Sequence, residues 1–419
     1  MRSSSYRGGG LAIAIVAVLA ASIPASAQDN GPPGATVESV LALGRRLSPE
    51  LRAAALDTEA AAARADAAGR LDDPTFRAMS DEVDRTSGPR INKTYLSIEQ
   101  EFPLWGKLEL RRSAALAAVD ASRGRERAAE GELDEKIKIA FARYYTAAQA
   151  LAVNRDVARV ARAMAKLAAE RYGQGLGVQT EAIAAETEIT RAETEQVRLE
   201  ADRRSAAARL NGLLARPAGA PFAEPKRLRP MPVAEPPVEV LLERARVANP
   251  RLFAGAAEVR SAESERQLAE KAWYPNVTLG AGAIQRDNGP AGYTASLSLK
   301  IPLQWGAKEA GEREAVAKLG AAQQRLAQIE AEITGDLGQS LAALAAAKRV
   351  GELTRKRLIP QLETAYKSAL AGYSRNQGTL AAVFEAEHRI HQARLDLLRV
   401  DIEAQTALAA IERLLGVEL

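Results

Sequence analysis

The chain has 419 residues, 47% of them hydrophobic but only 4% aromatic, and a formal net charge of +4 from 57 basic and 53 acidic side chains. Apolar content drawn mostly from Ala, Leu and Val predicts long helices rather than a compact aromatic core, and balanced charge without a like-charge block gives no indication of nucleic-acid binding. The absence of cysteine excludes disulfides, thiolate metal sites, a cysteine nucleophile and a lipid anchor on cysteine.

The first segment reads as an export signal. Arg2 and Arg7 precede the apolar run Leu11 to Ala21, and Ala25-Ser26-Ala27 forms a small-residue cleavage site before Gln28. The apolar run is too short for a membrane anchor and stops at Pro24. Removing Arg2 and Arg7 lowers the net charge from +4 to +2. No later stretch approaches the roughly 18 consecutive apolar residues of a transmembrane helix. The mature protein is therefore expected in the periplasm, outside the cell, or in the outer membrane as a β-barrel.

The remainder of the chain is one unit written twice. Val37-Glu38 returns as Val238-Glu239, Ser48-Pro49-Glu50-Leu51 as Asn249-Pro250-Arg251-Leu252, Asp73-Pro74 as Tyr274-Pro275, Tyr172 as Tyr373 and Ile189 as Ile390, every pair 201 residues apart. A constant offset over so many landmarks is a duplication. The predicted organisation is a signal peptide over 1–27, a first repeat over 28–215 with strands at about 74–103, a connector over 216–237, and a second repeat over 238–419 with strands at about 275–302. The connector holds seven of the 19 prolines and is expected to run extended.

Each copy predicts the same elements in the same order. A helix comes first, about Val37 to Leu71 and Val238 to Trp273, ended by Pro74 and Pro275. Two strands come next. Thr94, Leu96, Ile98 and Phe102 alternate with polar neighbours in copy one, and Tyr293, Ala295, Leu297, Leu299 and Ile301 do so in copy two. The stretch at Thr75 to Asp84 carries the weakest strand pattern. Ser87-Gly88-Pro89 and Asp287-Asn288-Gly289-Pro290 are turns. Long proline-free helices are then predicted, Gly106 to Tyr172 and Gly306 to Ile359. At 1.5 Å per residue, about 65 residues span roughly 100 Å, which only a coiled coil can bury. A last helix closes each copy, about Val178 to Leu214 and Thr379 to Leu415. In the second, Ile390, Ala393, Leu397, Val400, Ala404, Ala407, Ile411 and Leu414 keep a heptad pattern. Gln196 and Arg203 break the matching seam of the first, so the two helices are expected to pack in different surroundings.

The fold class is thus mainly α with a small β part. Four amphipathic strands of about ten residues have the length to cross an outer membrane. Four cannot close a barrel, and an open edge in lipid costs several kcal/mol per unpaired backbone group. If these strands span, several chains share one barrel, and three chains supply 12 strands.

The tandem duplication, the Pro-Leu-x-Trp-Gly-like junction after each second strand (Phe102-Pro103-Leu104-Trp105-Gly106, and Ile301-Pro302-Leu303-Gln304-Trp305-Gly306 with one residue inserted), and the Tyr-x-x-Gly-like turn before each last helix resemble the outer membrane factor family, the TolC-like channels of tripartite efflux and type I secretion. The similarity covers the whole mature chain, and the Phe-Pro-Leu-Trp-Gly-Lys junction is most similar to the branch serving heavy-metal efflux. The resemblance implies a homotrimer with a 12-stranded outer-membrane barrel in contact with lipid, continued by a helical tunnel across the periplasm. It implies a periplasmic adaptor (a membrane fusion protein) and an inner-membrane pump of the RND type as partners, no nucleic acid, no cofactor and no catalysis. The competing classes are a soluble periplasmic coiled-coil adaptor or structural protein, disfavoured by two equal copies each with its own strand pair, and a type I secretion duct.

The same resemblance places pore entrance and adaptor docking at the helix tips, which carry Tyr172, Gly175 and Glu181 in copy one and Tyr373, Asn376 and Glu385 in copy two. Asn376 stands where the family usually has glycine, and asparagine tolerates the left-handed conformation. The family often places an acidic ring past the second tip; Ala382 lacks the charge and Glu385 keeps it. The plainer readings are that Glu181 and Glu385 are solvated and that both tyrosines pack helix ends. Pro103, Trp105, Gly106, Pro302, Trp305 and Gly306 are expected at the barrel–tunnel junction, the tryptophans at the membrane interface and the glycines turning strand into helix. His388 and His391, spaced i, i+3 near Glu385 and Glu387, are weak metal candidates, and a solvated face is the favoured reading. Gly173-Gln174-Gly175-Leu176-Gly177 comes after a helix and lacks a Lys-Ser/Thr end, so it is a turn rather than a phosphate loop. No separated histidine is available for a Ser-His-Asp triad.

Overall fold

The computed structural model describes residues 33–84, 90–232, 236–286 and 289–419. The signal-peptide reading of 1–27, the turn Ser87-Gly88-Pro89, and Asp287 and Asn288 of the second turn lie outside the described residues. Copy one comprises α1 (Val37–Leu47), α2 (Pro49–Ala68), β1 (Thr75–Asp84), β2 (Arg90–Phe102), α3 (Lys107–Gly173) and α4 (Gln179–Leu213). Copy two comprises α5 (Val238–Ala248), α6 (Pro250–Glu270), a 3₁₀ turn (Lys271–Trp273), β3 (Asn276–Arg286), β4 (Gly289–Lys300), α7 (Trp305–Leu353), a π-turn (Thr354–Leu358), α8 (Ile359–Ser374) and α9 (Leu380–Leu415). The duplication read from the sequence is present in the order of elements, with the counterpart of α3 divided into α7, the π-turn and α8.

Three expectations need correction. The first helix of each copy is two helices. Ser48 and Asn249 hold an extended conformation because each precedes a proline, and each caps the helix after it: the Ser48 hydroxyl accepts from Leu51 N, and Asn249 Oδ1 accepts from Arg251 N and Leu252 N. Next, α2 ends at Ala68, six residues before Pro74, so that proline does not stop it. Finally, the second long helix runs through Pro360. The chain absorbs the missing N–H and the ring by widening into the π-turn Thr354–Leu358 and resuming as α8.

The strands form one antiparallel sheet in the order β1-β2-β3-β4, joined across the copies by the β2–β3 pair. The register aligns Phe76 with Ile98, Ile98 with Ala281, Leu279 with Leu297 and Val277 with Leu299. These residues share one face, and most of their large side chains are exposed, as is Tyr293 at 93%. The opposite face carries Ser97, Glu99, Thr278, Gly280, Ser296 and Ser298. Both outer strands have an unpaired edge within one chain.

The helices continue away from the sheet. With 67 residues, α3 extends about 100 Å and links every region. Near the strands α2, α3, α6 and α7 lie side by side; beyond the middle α4 and α9 flank α3, with α7 and α8 against α9. Gly124 permits the close α3–α6 approach, since a Cβ there would sit 2.7 Å from the Ala254 Cβ. The core is accordingly divided: Val40, Leu41, Ile137, Phe141 and Leu210 in copy one, Leu241, Leu337, Leu344, Leu408 and Ile411 in copy two, and a tip cluster around Ala168, Ala185, Tyr373 and Val383. The heptad residues Ile390, Ala393, Ala404, Ala407, Ile411 and Leu414 are buried, whereas Arg203 on α4 is exposed and Gln196 bonds Glu200 at 2.9 Å. The two last helices do pack in different surroundings.

Residues 216–232 have no regular structure and are pinned across the bundle. Ala223 N donates to Pro33 O, Lys226 N to Ala35 O, and Gln405 Nε2 to Arg229 O. Arg229 also joins a buried ion cluster in which Glu412 accepts from Lys138 Nζ at 2.8 Å and from Arg229 Nη1 at 2.6 Å. Among the described residues no helix is long and apolar enough to cross a membrane.

Candidate functional site

Two places gather the residues singled out above: the junction between strands and helices, and the tips at the far end. At the junction, strand β2 must turn into α3. Trp105 and Gly106 both take left-handed backbone, φ 68° and 75°. The Trp105 ring stacks on Tyr274 with centroids 5.3 Å apart, and its Nε1 donates to Pro275 O at 3.1 Å. These contacts hold a conformation that a bulky residue resists. Gly306 behaves differently from expectation. It lies inside the first turn of α7 with no positive φ, because the residue inserted before Trp305 gives the chain room to turn without glycine. Pro103 and Pro302 fall in the short links between strand and helix, and Trp305 opens α7 as an exposed residue.

Lys107 begins α3 and is only 7% exposed. Its ammonium donates to Tyr274 O at 2.7 Å and to Asn276 Oδ1 at 2.6 Å, and the Asn276 amide donates to Glu101 Oε1 at 2.5 Å. This chain of bonds ties the end of β2 to the start of β3, one copy to the other. Burial, with Lys308 and Arg111 close by, pushes the Lys107 pKa down. The sequence signal for this residue was its repeat: Lys107 and Lys308 are 201 apart.

At the tips the two copies share one turn geometry. Gly175 and Asn376 are left-handed at φ 73° and 62°. Leu176 N bonds Arg171 O at 2.8 Å, as Gln377 N bonds Gly372 O at 2.8 Å, in the Schellman pattern. The asparagine adopts the conformation expected of it. The tyrosines diverge: Tyr172 is 50% exposed, Tyr373 is 1% exposed. Tyr373 donates its hydroxyl to Glu181 Oε2 at 3.1 Å, its ring lies under the Arg171 guanidinium at 4.7 Å, and burial next to Glu181 pushes its pKa up. Arg171 also donates to Tyr373 O and to Asn376 Oδ1. Arg171 was not singled out from the sequence. Its signal is an asymmetry between repeats, since its counterpart is Gly372. Glu181 therefore clasps the other tip, and Glu385 pairs with Arg389 at 2.9 Å.

The histidine rings lie 6.4 Å apart between centroids. Nδ1 of His391 is buried and unbonded, and burial beside His388 lowers its pKa. Among the described residues no group of three or more His, Cys, Asp or Glu comes together to hold a metal.

A sheet with one exposed apolar face and open edges, continued by two copies of a long helical hairpin with tightly turned tips, defines a channel-forming protein rather than an enzyme. The outer membrane efflux protein family model matches the chain twice, over residues 41–216 and 241–417, and the protein belongs to that family. It is an outer-membrane efflux protein with its helical part in the periplasm. No curated protein matches the chain by sequence. Among solved structures it resembles a membrane protein from Pseudomonas aeruginosa (20% identity, TM-score 0.79, covering 92% of this chain and 91% of that one). It also resembles CusC (14%, 0.78, 91% and 92%) and the outer membrane protein VceC from Vibrio cholerae (19%, 0.78, 91% and 96%). At these identities the likeness shows the fold.

Proposed function

We propose that the protein is the exit duct of a tripartite efflux system. Three copies share one 12-stranded barrel, each closing the open β4 edge of one chain with β1 of the next. The helices line a tunnel in the periplasm, and the tips around Tyr172, Gly175, Asn376 and Glu385 meet a periplasmic adaptor that couples the duct to an inner-membrane pump of the RND type. Pro103, Trp105, Gly106, Pro302 and Trp305 sit where barrel becomes tunnel. The observation that carries the reading is the four-stranded sheet with an exposed apolar face and two unpaired edges, which lipid tolerates only if neighbouring chains pair them. Transport is passive here, with energy supplied by the pump. Heavy-metal cations, the cargo of the branch that the Phe-Pro-Leu-Trp-Gly-Lys junction resembles, are one cargo class among several.

The test is the molar mass of the mature protein extracted from outer membranes in mild detergent, by light scattering corrected for bound detergent. Three chains support the shared barrel; a monomer released into the soluble periplasm overturns it. Photo-crosslinking from Leu176 supplies the second arm, with a periplasmic protein captured from the tip but not from Ser298.

A further inference from the structure

We propose that the strand–helix junction is an anion-binding site on the lumenal side of the duct, suited to solutes bearing phosphate-like groups. Lys107, Arg111, Lys300 and Lys308 line one cleft of about 590 Å³, and no carboxylate is among its lining residues. The placement comes from the fold. Lys107 is held buried against Tyr274 O and Asn276 Oδ1, so its charge is fixed in position. Arg111 lies one turn further along the same helix face. Lys300 is the register partner of Asn276, so the two share one side of the sheet. Lys308 sits in the first turn of α7, near enough to Lys107 to disfavour its charge. Among the described residues Arg111, Lys300 and Lys308 make no ion pair. Glu101, whose charge favours that of Lys107, accepts from the Asn276 amide at 2.5 Å.

The side on which the cleft opens comes from the register. Val277, Leu279, Leu297 and Leu299 point to one face, and Asn276 and Lys300 to the other. If the exposed apolar face meets lipid, the cations face the lumen. This step rests on the channel reading above. Around a threefold axis the site becomes a ring in which both repeats contribute a lysine at the same level. Four crowded, partly desolvated cations outnumber the one carboxylate that acts on Lys107, Glu101, and favour an anion, and a guanidinium beside ammonium groups can grip phosphate oxygens in two places. The same ring disfavours passage of free metal cations.

The chain's three tryptophans, Trp105, Trp273 and Trp305, all lie at this junction and supply an intrinsic probe. The experiment titrates the detergent-solubilised protein with sodium pyrophosphate and monitors tryptophan fluorescence. The expected result is a saturable change that weakens with added salt and loses at least tenfold in affinity in the Lys300→Gln/Lys308→Gln double variant. Both side chains are at the surface of the cleft, so far-UV circular dichroism should be unchanged. Phosphatidylglycerol added to the micelles should not compete. Absence of saturation, equal affinity in the double variant, or competition by the lipid (which would place the cleft against the membrane) each overturns the proposal. Light scattering on the same sample tests the channel reading separately: a trimer that fails to bind pyrophosphate sinks only the anion site, while a monomer sinks the shared barrel.

Discussion

Tyr373 shows how one side chain can carry a contact between the two repeats. Its hydroxyl bonds Glu181 across the tips at 3.1 Å while Arg171 covers its ring. Tyr373→Phe removes that bond at a cost of about 1 kcal/mol. Hydrogen exchange over 171–178 and 373–380 should then speed up about fivefold, with exchange in β2 and β3 unchanged. Glu387 gives a test of opposite sign. Burial raises its pKa, with Glu188 adding to the rise and His388 and Arg394 opposing it. A carboxyl whose folded pKa is raised binds its proton more tightly folded than unfolded, so its cost to stability sets in as pH rises through the unfolded value and is complete above the folded one. Glu387→Gln should raise the thermal midpoint at pH 7, and the advantage should shrink to nothing as pH falls below the ordinary carboxylate value of 4.5. An advantage that persists at pH 4 refutes this assignment. The tip tyrosines were legible in the sequence as a repeated pair, but not that one is buried and the other exposed. That difference depends on Arg171 and Glu181, which approach Tyr373 only after the two hairpins dock.

Among the elements, the long helices were read correctly as long, since absence of proline over Gly106 to Tyr172 leaves nothing to interrupt them. The breaks at Ser48-Pro49 and Asn249-Pro250 were visible as repeat landmarks, and their meaning comes from the steric restriction on the residue before proline. Pro360 is the reverse case. A rule that stops helices at proline fails there because the surrounding bundle holds a π-turn that accommodates the ring. Helix packing supplies the prediction at this scale. Gly124→Val places methyl groups against Ala254, whose backbone N is already 2.8 Å from the position of an added Cβ. Overpacking of this kind costs about 1–3 kcal/mol. The denaturant midpoint should drop accordingly, whereas Gly335→Ala, with open space around its Cβ, should leave the midpoint unchanged or raise it.

For the whole molecule, the sheet register separates an apolar face from a polar one, and adjacent residues of one strand test whether these meet lipid and lumen as proposed. Leu297 lies on the apolar face opposite Leu279, and Ser298 lies on the polar face opposite Thr278. Leu297→Lys should cost about 2–4 kcal/mol if it faces the bilayer midplane, and sharply reduce the protein recovered from outer membranes. Ser298→Lys should be recovered normally. Equal losses from both would mean that the sheet does not divide lipid from water. The buried cluster of Lys138, Arg229 and Glu412 acts at the same scale, drawing α3 of copy one, the connector and α9 of copy two to one point.

By itself the sequence determined the duplication, the order of helices and strands, the amphipathic strand faces and the family resemblance, because these depend on local spacing: a period of two, a heptad, a proline, a 201-residue offset. The tertiary structure decided which residues meet across the copies. Lys107 with Asn276, Arg171 with Tyr373 and Lys138 with Glu412 are each more than 160 positions apart. The physical reason is that side-chain burial and charge pairing depend on the distance between helices after docking, and no local pattern encodes that distance. The cationic cleft belongs to the second category: Lys107 and Lys308 recur in the repeat, but only the β3–β4 register and the packing of α3 and α7 on either side of α6 bring them to one wall with Lys300.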